Sequence, residues 1–298
     1  MTFLGIDSSM YTSSVCMIDE AGKMVCDARK MLEVAKGQRG LRQSDAVFMH
    51  MKNFPEMFKS FDFTDVSAIA VSTRPRDIEG SYMPVFQSGI AFAQTLAHAL
   101  KVPLYTCSHQ QGHIAAAIED ISLAESYLSI HLSGGTTEIL CTMQGKTEIV
   151  GGTLDLHAGQ LIDRVAVGCG LPFPCGAHIE KYLAGWQDAA DFPICIKGGD
   201  FHLSGAEAKA LQAIENGVDG RTVLKGVIEA VARSLVAVLS AMPYDNVVLA
   251  GGVGESSILR SYLQDHISKT LYMATPGFSR DNAYGVALIA RQKHREQE

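Results

Sequence analysis

The chain has 298 residues, of which 47% are hydrophobic and 19% are charged, a balance that suits two ordinary domains or one large core and excludes intrinsic disorder. The formal net charge is −7 at pH 7, which excludes a global basic field that would attract nucleic acid. The seven cysteines lack metal-type spacing and no apolar run reaches about 18 residues, so we predict a cytoplasmic protein with reduced thiols and no membrane span.

In chain order, the first part alternates strand and helix patterns. Apolar runs predict strands over residues 3–7, 13–19, 23–28, 66–72 and 104–107. Helical periodicity predicts helices over 42–59 and 84–100 and a third from His109. Because hairpins are mixed with helical crossovers, we expect a mixed sheet rather than an all-parallel one.

The second part repeats this alternation. Strands are predicted near 127–133, 137–143, 147–151, 246–250 and 269–273. Helices are predicted near 158–168, 177–185, 205–215, 222–241 and 256–266. Residues 188–204 contain Pro193 and Gly198-Gly199 and are predicted to form a loop. A last helix from Asn282 is expected to pack on the first lobe.

One strand–turn–strand pattern occurs twice, from Phe3 to a turn at Gly22 and from Tyr127 to a turn at Gly145. Such a duplication implies two similar lobes facing each other, with a cleft that suits a nucleotide phosphate. We therefore predict an N-terminal lobe of residues 1–123 plus the C-terminal helix 281–298, and a C-terminal lobe of residues 124–280.

Two histidines, His109 and His113, are spaced four apart on a predicted helix, with Ser108 as a candidate N-cap. On one helix face their rings lie about 6 Å apart, close enough to hold one metal ion. A third ligand is required, and Asp281 is the candidate. The structural alternatives are polar residues at a helix end and an Asp281 that only caps the last helix.

Glycine turns follow two predicted strands. In Ser133-Gly134-Gly135 the backbone amides can point at phosphate oxygens, although an ordinary hairpin turn also favours glycine. Gly251 and Gly252 lead from a buried strand into a helix that Ser256 or Ser257 can cap, an arrangement that suits an anion but is weak alone.

Two further positions have both a functional and a structural interpretation. Asp163, one turn into a helix and before the glycine-lined start at Gly176, could hold ribose hydroxyls, although a surface carboxylate is the simpler interpretation. Ser204 with Glu207 three residues later predicts a capping box, which is a structural role.

Taken together and in order, these motifs resemble the TsaD family, the transferases that make threonylcarbamoyladenosine on tRNA, formerly described as O-sialoglycoprotein endopeptidases. The resemblance covers nearly the whole chain. It is carried by Leu4-Gly5-Ile6-Asp7-Ser8-Ser9, His109 and His113, Ser133-Gly134-Gly135, Asp163-Arg164, Gly176, Asp200-Phe201, Ser204-Gly205, Ala250-Gly251-Gly252 and Asp281-Asn282-Ala283.

This resemblance implies an α/β fold with two ribonuclease-H-like lobes of the actin, sugar-kinase and heat-shock-ATPase superfamily, with mixed sheets flanked by helices. It implies iron or zinc held by His109, His113 and Asp281, and ATP or threonylcarbamoyl-adenylate as a ligand. The implied ligand-binding residues are Asp7, Ser133, Gly134, Gly135, Asp163, Gly176, Gly251, Gly252 and Ser256.

The chain also departs from the family pattern. Met10-Tyr11-Thr12 replaces a Cys-Asp-Glu segment, so two acids near the reaction centre are missing. Other replacements are Arg76 for glycine, Thr136 for histidine, Gln160 for glutamate, Cys175 for glycine, Ala177 for proline and Ser256 for asparagine. These changes indicate a divergent paralogue.

Three functions follow from these patterns. The favoured one is transfer of a threonylcarbamoyl or related carbamoyl group from an adenylate to adenosine in tRNA or to another acceptor. The alternative is a catalytically degenerate nucleotide-binding paralogue that acts as a scaffold or partner subunit, in a homodimer or with a small TsaB-like paralogue. A metalloprotease is least favoured, because Gln110 stands where zinc proteases have glutamate.

Overall fold

The computed structural model describes residues 1–33, 41–119, 121, 123, 126–144 and 146–297. The chain forms two compact units, one of residues 1–122 with 274–298 and one of residues 123–273. In the described part of the chain, no helix is long and apolar enough to cross a membrane.

The N-terminal unit is built on a five-stranded sheet in the order β3-β2-β1-β4-β5. Its strands are β1 (Thr2–Ser8), β2 (Thr12–Asp19), β3 (Met24–Met31), β4 (Val66–Arg74) and β5 (Leu104–Ser108). Its helices are α1 (Gln43–Phe58), α2 (Phe86–Leu100), α3 (His109–Ile118) and α9 (Tyr284–Arg295). The first three strands pair antiparallel, while β4 runs parallel to both β1 and β5, so the predicted mixed sheet is confirmed.

Strand β1 is buried on both faces, because its alternating side chains enter two different cores. Leu4 and Ile6 pack in one core with Phe54 of α1. Phe3 packs in the other with Ala287 of α9. The sheet therefore lies between two helical layers, and the end of β1 is held from both sides.

The C-terminal unit has a seven-stranded sheet in the order β12-β11-β6-β7-β8-β10-β9. Its strands are β6 (Ser126–Leu132), β7 (Thr137–Met143), β8 (Lys146–Thr153), β9 (Cys195–Lys197), β10 (Asp200–His202), β11 (Asn246–Ala250) and β12 (Thr270–Met273). Its helices are α4 (Ala158–Gly168), α5 (Gly176–Tyr182), α6 (Ser204–Glu215), α7 (Gly220–Ser240) and α8 (Ser257–His266), with a short 3-10 helix at Gly252–Glu255.

Five strands of this second sheet, in the order β8-β7-β6-β11-β12, repeat the order and pairing directions of the first sheet. This arrangement confirms the duplication predicted from the two hairpins. Gly145, at the predicted second turn, lies outside the described residues.

The prediction of a continuous loop over residues 188–204 is wrong at its end, where β9 and β10 extend the sheet. Asp200 of β10 pairs with Gly152 of β8 and, on its other side, with Lys197 of β9. Strands of three residues are too short to show a period in the sequence, and only tertiary pairing reveals them.

Candidate functional site

Helix α3 begins at His109 because Ser108 caps it. The Ser108 hydroxyl accepts from the Gln111 amide at 3.1 Å, and the Gln111 side chain accepts from the Ser108 amide at 2.8 Å. This reciprocal capping box confirms the predicted N-cap. It places His109 in the first turn of the helix and His113 one turn later on the same face.

Three side chains converge at this face of α3. The Nε2 atoms of His109 and His113 are 3.0 Å apart. Oδ1 of Asp281 lies 3.3 Å from Nε2 of His109 and 3.7 Å from Nε2 of His113. The structure therefore brings together the three residues predicted as metal ligands, with all candidate ligand atoms within 4.8 Å of one another.

Close packing of α9 on α3 carries Asp281 to the histidines. A Cβ at Gly285 would lie 1.8 Å from the carbonyl oxygen of Gly112, so glycine is required where the two helices meet. The N-cap of α9 is Ala283, which has no side-chain capping bond, and Oδ1 of Asn282 accepts from the amides of Tyr284 and Gly285. The alternative role of Asp281 as that cap is therefore wrong.

The carboxylate of Asp7, at the end of β1, lies directly behind His109. Its Oδ1 accepts from His109 Nδ1 at 2.9 Å and from the Ser72 hydroxyl at 2.5 Å, and its Oδ2 accepts from the Ser9 amide at 3.3 Å. A carboxylate on Nδ1 fixes the ring tautomer so that Nε2 presents its lone pair to a metal. Asp7, predicted as a ligand-binding residue, thus contacts a candidate metal ligand.

Electrostatics make this cluster favourable for a positive charge. Burial disfavours the imidazolium, yet Asp7 and Asp281 outweigh it and raise the pKa of His109 well above its ordinary value. Burial and the adjacent His109 lower the pKa of His113. Burial disfavours the Asp281 carboxylate, but hydrogen bonds from both histidines hold its pKa well below the usual range. A cation placed here is balanced by two carboxylates.

The donor set fits an iron or zinc ion. Metal bonds of about 2.1 Å in tetrahedral or octahedral geometry separate neighbouring donors by roughly 3.0–3.4 Å. Two of the three donor distances, 3.0 and 3.3 Å, lie in this range, and only the 3.7 Å between Asp281 Oδ1 and His113 Nε2 needs a slight closure. Two imidazoles and one carboxylate leave coordination positions for water or substrate, which is typical of catalytic sites.

In the C-terminal unit, the Ser133-Gly134-Gly135 turn joins β6 to β7 and lies against the start of α4. The Ser133 carbonyl accepts from the Gly159 amide at 3.2 Å, and a Cβ at Gly159 would lie 2.6 Å from that carbonyl oxygen. Beside Gly134 and Gly135 there is open space within 4 Å of an added Cβ. Exposed turn amides beside a helix N-terminus are a setting that suits an anion.

Gly176 and Ser256, two of the residues predicted to contact the nucleoside, lie at the starts of two helices that one side chain connects. Ser256 caps α8 as predicted, with its hydroxyl accepting from the Leu259 amide at 3.4 Å. Glu180 of α5 accepts from the Ser257 amide at 3.0 Å and from its hydroxyl at 2.5 Å. Gly176, the first residue of α5, is thereby held on an element tied to the start of α8.

Other predicted residues have structural partners. Asp163 Oδ1 accepts from the Cys175 amide at 3.1 Å and so holds the segment that enters α5. Gly251 has a φ of 92° and approaches the Leu132 carbonyl so closely that an added Cβ would be 2.3 Å away. Gly252, which begins the 3-10 helix, has open space beside it.

The predicted capping role of Ser204 is wrong. The N-cap of α6 is Leu203, which has no side-chain capping bond, and the Ser204 hydroxyl instead donates to Asp155 at 2.5 Å. A carboxylate from the end of β8 competes successfully with the helix amides for this hydroxyl. The local capping-box pattern could not reveal a partner so distant in sequence.

Residues 50–288 match the model of the family described as TsaD, tRNA N6-adenosine threonylcarbamoyltransferase. A tRNA N6-adenosine threonylcarbamoyltransferase of Thermus thermophilus is 28% identical over 309 residues, covering 99% of this chain and 93% of that protein. A probable bifunctional tRNA threonylcarbamoyladenosine biosynthesis protein of Thermoplasma volcanium is 28% identical over 304 residues, and 98% of this chain spans only 55% of its length.

Solved structures share the fold. Component A of (R)-2-hydroxyglutaryl-CoA dehydratase from Acidaminococcus fermentans has a TM-score of 0.57 at 14% identity, over 99% of each chain. A ROK family glucokinase from Streptomyces griseus has a TM-score of 0.53 at 12% identity, over 98% of this chain and 100% of that one. The predicted class, an α/β fold of the actin and sugar-kinase type with mixed sheets flanked by helices, is confirmed.

Proposed function

The chain belongs to the TsaD family of tRNA N6-adenosine threonylcarbamoyltransferases, and on that basis we propose that it transfers a threonylcarbamoyl group from an adenylate to adenosine in tRNA. The observation that carries this proposal is the convergence of His109, His113 and Asp281 on one point. The fold alone does not require two imidazoles and a carboxylate at ligand spacing, so their convergence supports a metal-dependent function.

We propose that His109, His113 and Asp281 hold one iron or zinc ion, with Asp7 behind His109. When bound, this ion would supply positive charge that stabilises negative charge developing on oxygen. The protein's part is to aim Nε2 of both histidines, where the ion would bind in place of a proton. The hydrogen bond from His109 Nδ1 to Asp7 supports this for the first ring.

The adenylate is assigned to the C-terminal unit. The Gly134 amide would donate to its phosphate, together with the Gly135 amide, which in the structure donates to the Ser133 hydroxyl at 3.3 Å. The Ser133 amide is bonded to the Thr136 carbonyl at 2.8 Å, so Ser133 would contribute its hydroxyl. The open space beside the two glycines supports this assignment. Its nucleoside would lie against the α5 and α8 starts at Gly176 and Ser256, and Asp163 would shape that wall through the Cys175 amide. ATP is expected to bind the same residues.

The acceptor and partner are further parts of the proposal. A net charge of −7 gives the chain no general attraction for RNA. We therefore propose that tRNA is bound together with a second subunit, either another copy of this chain or a small TsaB-like paralogue. A cytoplasmic location stays a prediction.

A reconstituted transfer assay tests the proposed activity. Purified protein loaded with Fe²⁺ or Zn²⁺ is mixed with threonylcarbamoyl-adenylate and tRNA, and the nucleosides are analysed by mass. We expect threonylcarbamoyladenosine to form, and His109→Ala to lower the rate at least about a hundredfold because a metal ligand is lost. His98→Ala is the matched control, since His98 is exposed on α2.

Complementation of a strain that lacks the family enzyme extends the test. Restored tRNA modification, lost again with His109→Ala, is the expected result. If neither complementation nor the reconstituted assay gives threonylcarbamoyladenosine, with either metal and with the partner supplied, transferase activity is contradicted. That result would favour the degenerate nucleotide-binding alternative.

A further inference from the structure

His50 lies on α1, completely buried, and is not one of the candidate metal ligands. Both of its ring nitrogens have partners. Nδ1 is 2.7 Å from the Ser13 hydroxyl, and Nε2 is 2.9 Å from the Ser9 carbonyl oxygen. The amide of Asn53, one turn later, donates to the same Ser13 hydroxyl at 3.0 Å. These four residues form a polar chain inside the N-terminal unit.

This chain of hydrogen bonds has one consistent direction. The Ser9 carbonyl can only accept, so Nε2 of His50 carries the proton. Nδ1 then accepts from the Ser13 hydroxyl, whose oxygen accepts from Asn53. A neutral imidazole satisfies every member, which meets the requirement for polar groups buried this deeply.

Ser9 connects these hydrogen bonds to the candidate metal ligands. Its hydroxyl donates to Asp281 Oδ2 at 2.8 Å, and its amide donates to Asp7 Oδ2 at 3.3 Å. Its carbonyl accepts from His50. One residue thus contacts a candidate ligand, the carboxylate behind another ligand, and the buried histidine.

We propose that His50 is a positioning residue for the metal centre: by holding the Ser9 carbonyl, it fixes the peptide from which Ser9 orients Asp281 and Asp7. The inference rests on the proposed metal site. Ser9 follows the last residue of β1 and lies beyond the final pair of the β1–β2 ladder, Ser8 with Ser13. The bond from α1 therefore supplies a restraint that the ladder does not.

Two substitutions separate this role from a general packing role. A glutamine amide extends to the position of Nε2, so His50→Gln keeps a donor for the Ser9 carbonyl. An asparagine amide reaches only to the position of Nδ1, so His50→Asn keeps a partner for Ser13 and loses Ser9. Both variants remove the ring that lies against Phe54, so their packing losses are similar.

The experiment measures Zn²⁺ affinity of the full chain by competition with a chromogenic chelator at fixed pH. We expect His50→Asn to raise the dissociation constant about tenfold, the lower end of what loss of an outer partner costs. His50→Gln should stay within about threefold of the parent protein. Phe54→Leu is the control, since it alters the same buried layer without touching Ser9, and should lower thermal stability only.

Each outcome decides between the alternatives. Equal Zn²⁺ affinity for His50→Asn, His50→Gln and the parent protein would overturn the positioning role while leaving the metal site intact. A parent protein that binds no stoichiometric Zn²⁺ or Fe²⁺ would overturn the metal site, and the positioning role with it. If His50→Asn does not fold, Ser13→Ala replaces it, because loss of the hydroxyl at Nδ1 frees the tautomer. It should weaken Zn²⁺ binding about threefold, and unchanged binding would count against the inference.

Discussion

In each unit, one carboxylate accepts several hydrogen bonds and so connects different elements: Asp7 in the N-terminal unit and Asp155 in the C-terminal unit. In the C-terminal unit, Asp155 Oδ1 accepts from the amides of Leu156 and Leu203 at 2.6 and 2.9 Å. Its Oδ2 accepts from the Ser204 amide and hydroxyl. One side chain thus joins the end of β8 to the start of α6. Burial opposes its ionisation, but the bonds from Ser204 and Leu203 lower the pKa of Asp155 to about 2.

This shift predicts an acid-sensitive contribution to stability. Because the folded-state pKa is depressed, the contribution is complete above the unfolded value of about 4 and is lost as pH falls toward 2. Since the residue is exposed, we expect Asp155→Asn to cost only about 1 kcal/mol at pH 7 after solvent screening. Urea unfolding at pH 7, 4 and 2.5 measures it.

The exposed Asp188 provides the control, and Asp188→Asn should leave the unfolding curves unchanged. If the difference between Asp155→Asn and the parent protein is as large at pH 2.5 as at pH 7, the carboxylate is not the source of the effect.

Among the elements, the contact between α3 and α9 decides whether the candidate metal site exists. Gly112 lies between the two histidines in sequence, and Gly285 follows Asp281 by four residues. The Gly112 carbonyl oxygen lies so close to Gly285 that a Cβ added there would clash with it. Backbone approaches backbone here, so any side chain at position 285 must separate the helices. Separation would move Asp281 away from both imidazoles.

We therefore predict that Gly285→Ala destabilises the protein by about 2 kcal/mol through overpacking and weakens Zn²⁺ binding at least about tenfold. Unfolding in urea and chelator competition give the two values. Gly205→Ala is a matched control, since an added Cβ on this helical glycine meets nothing within 4 Å. Gly285→Ala with the parent protein's Zn²⁺ affinity would show that the close approach is not needed for the site.

The order and type of the elements could be predicted from the sequence wherever periodicity lasts several residues, as it does in β1, α7 and α9. The pairing of His109 with His113 follows from helix geometry alone. From the residues alone Asp281 is only a candidate third ligand, which the family resemblance supports, because its approach to the histidines depends on tertiary packing. The sequence contains no local signal for the contact of Asp7 with His109, and a lone histidine such as His50 is ordinarily a core or surface residue.

On the scale of the whole molecule, one unit is formed by a single continuous segment of the chain and the other by two segments. The C-terminal unit is one segment, 123–273, with its own core around α7. The N-terminal unit needs two segments, 1–122 and 274–298. Its second core contains Phe3 and Ala68 of the sheet and Val286, Ala287 and Ala290 of α9. Removal of α9 would expose one face of that sheet to water.

This asymmetry predicts different fates for isolated pieces. Residues 123–273 expressed alone should unfold cooperatively in urea, because their core is complete. Residues 1–122 alone should not, since α9 is missing, and co-expression with residues 274–298 should restore folding. Circular dichroism during urea titration distinguishes the outcomes. A cooperative transition for 1–122 alone would show that α9 is not part of the minimal core.

The late position of Asp281 also has a consequence for biosynthesis. A ribosome must polymerise the whole C-terminal unit after His113 before the third donor is made, which at roughly 5–20 residues per second takes on the order of ten seconds or more. A nascent chain therefore carries the imidazole pair without the carboxylate through most of translation. At the proposed metal site, all three donors are present only after synthesis has passed residue 281, and chains that terminate earlier would lack the carboxylate.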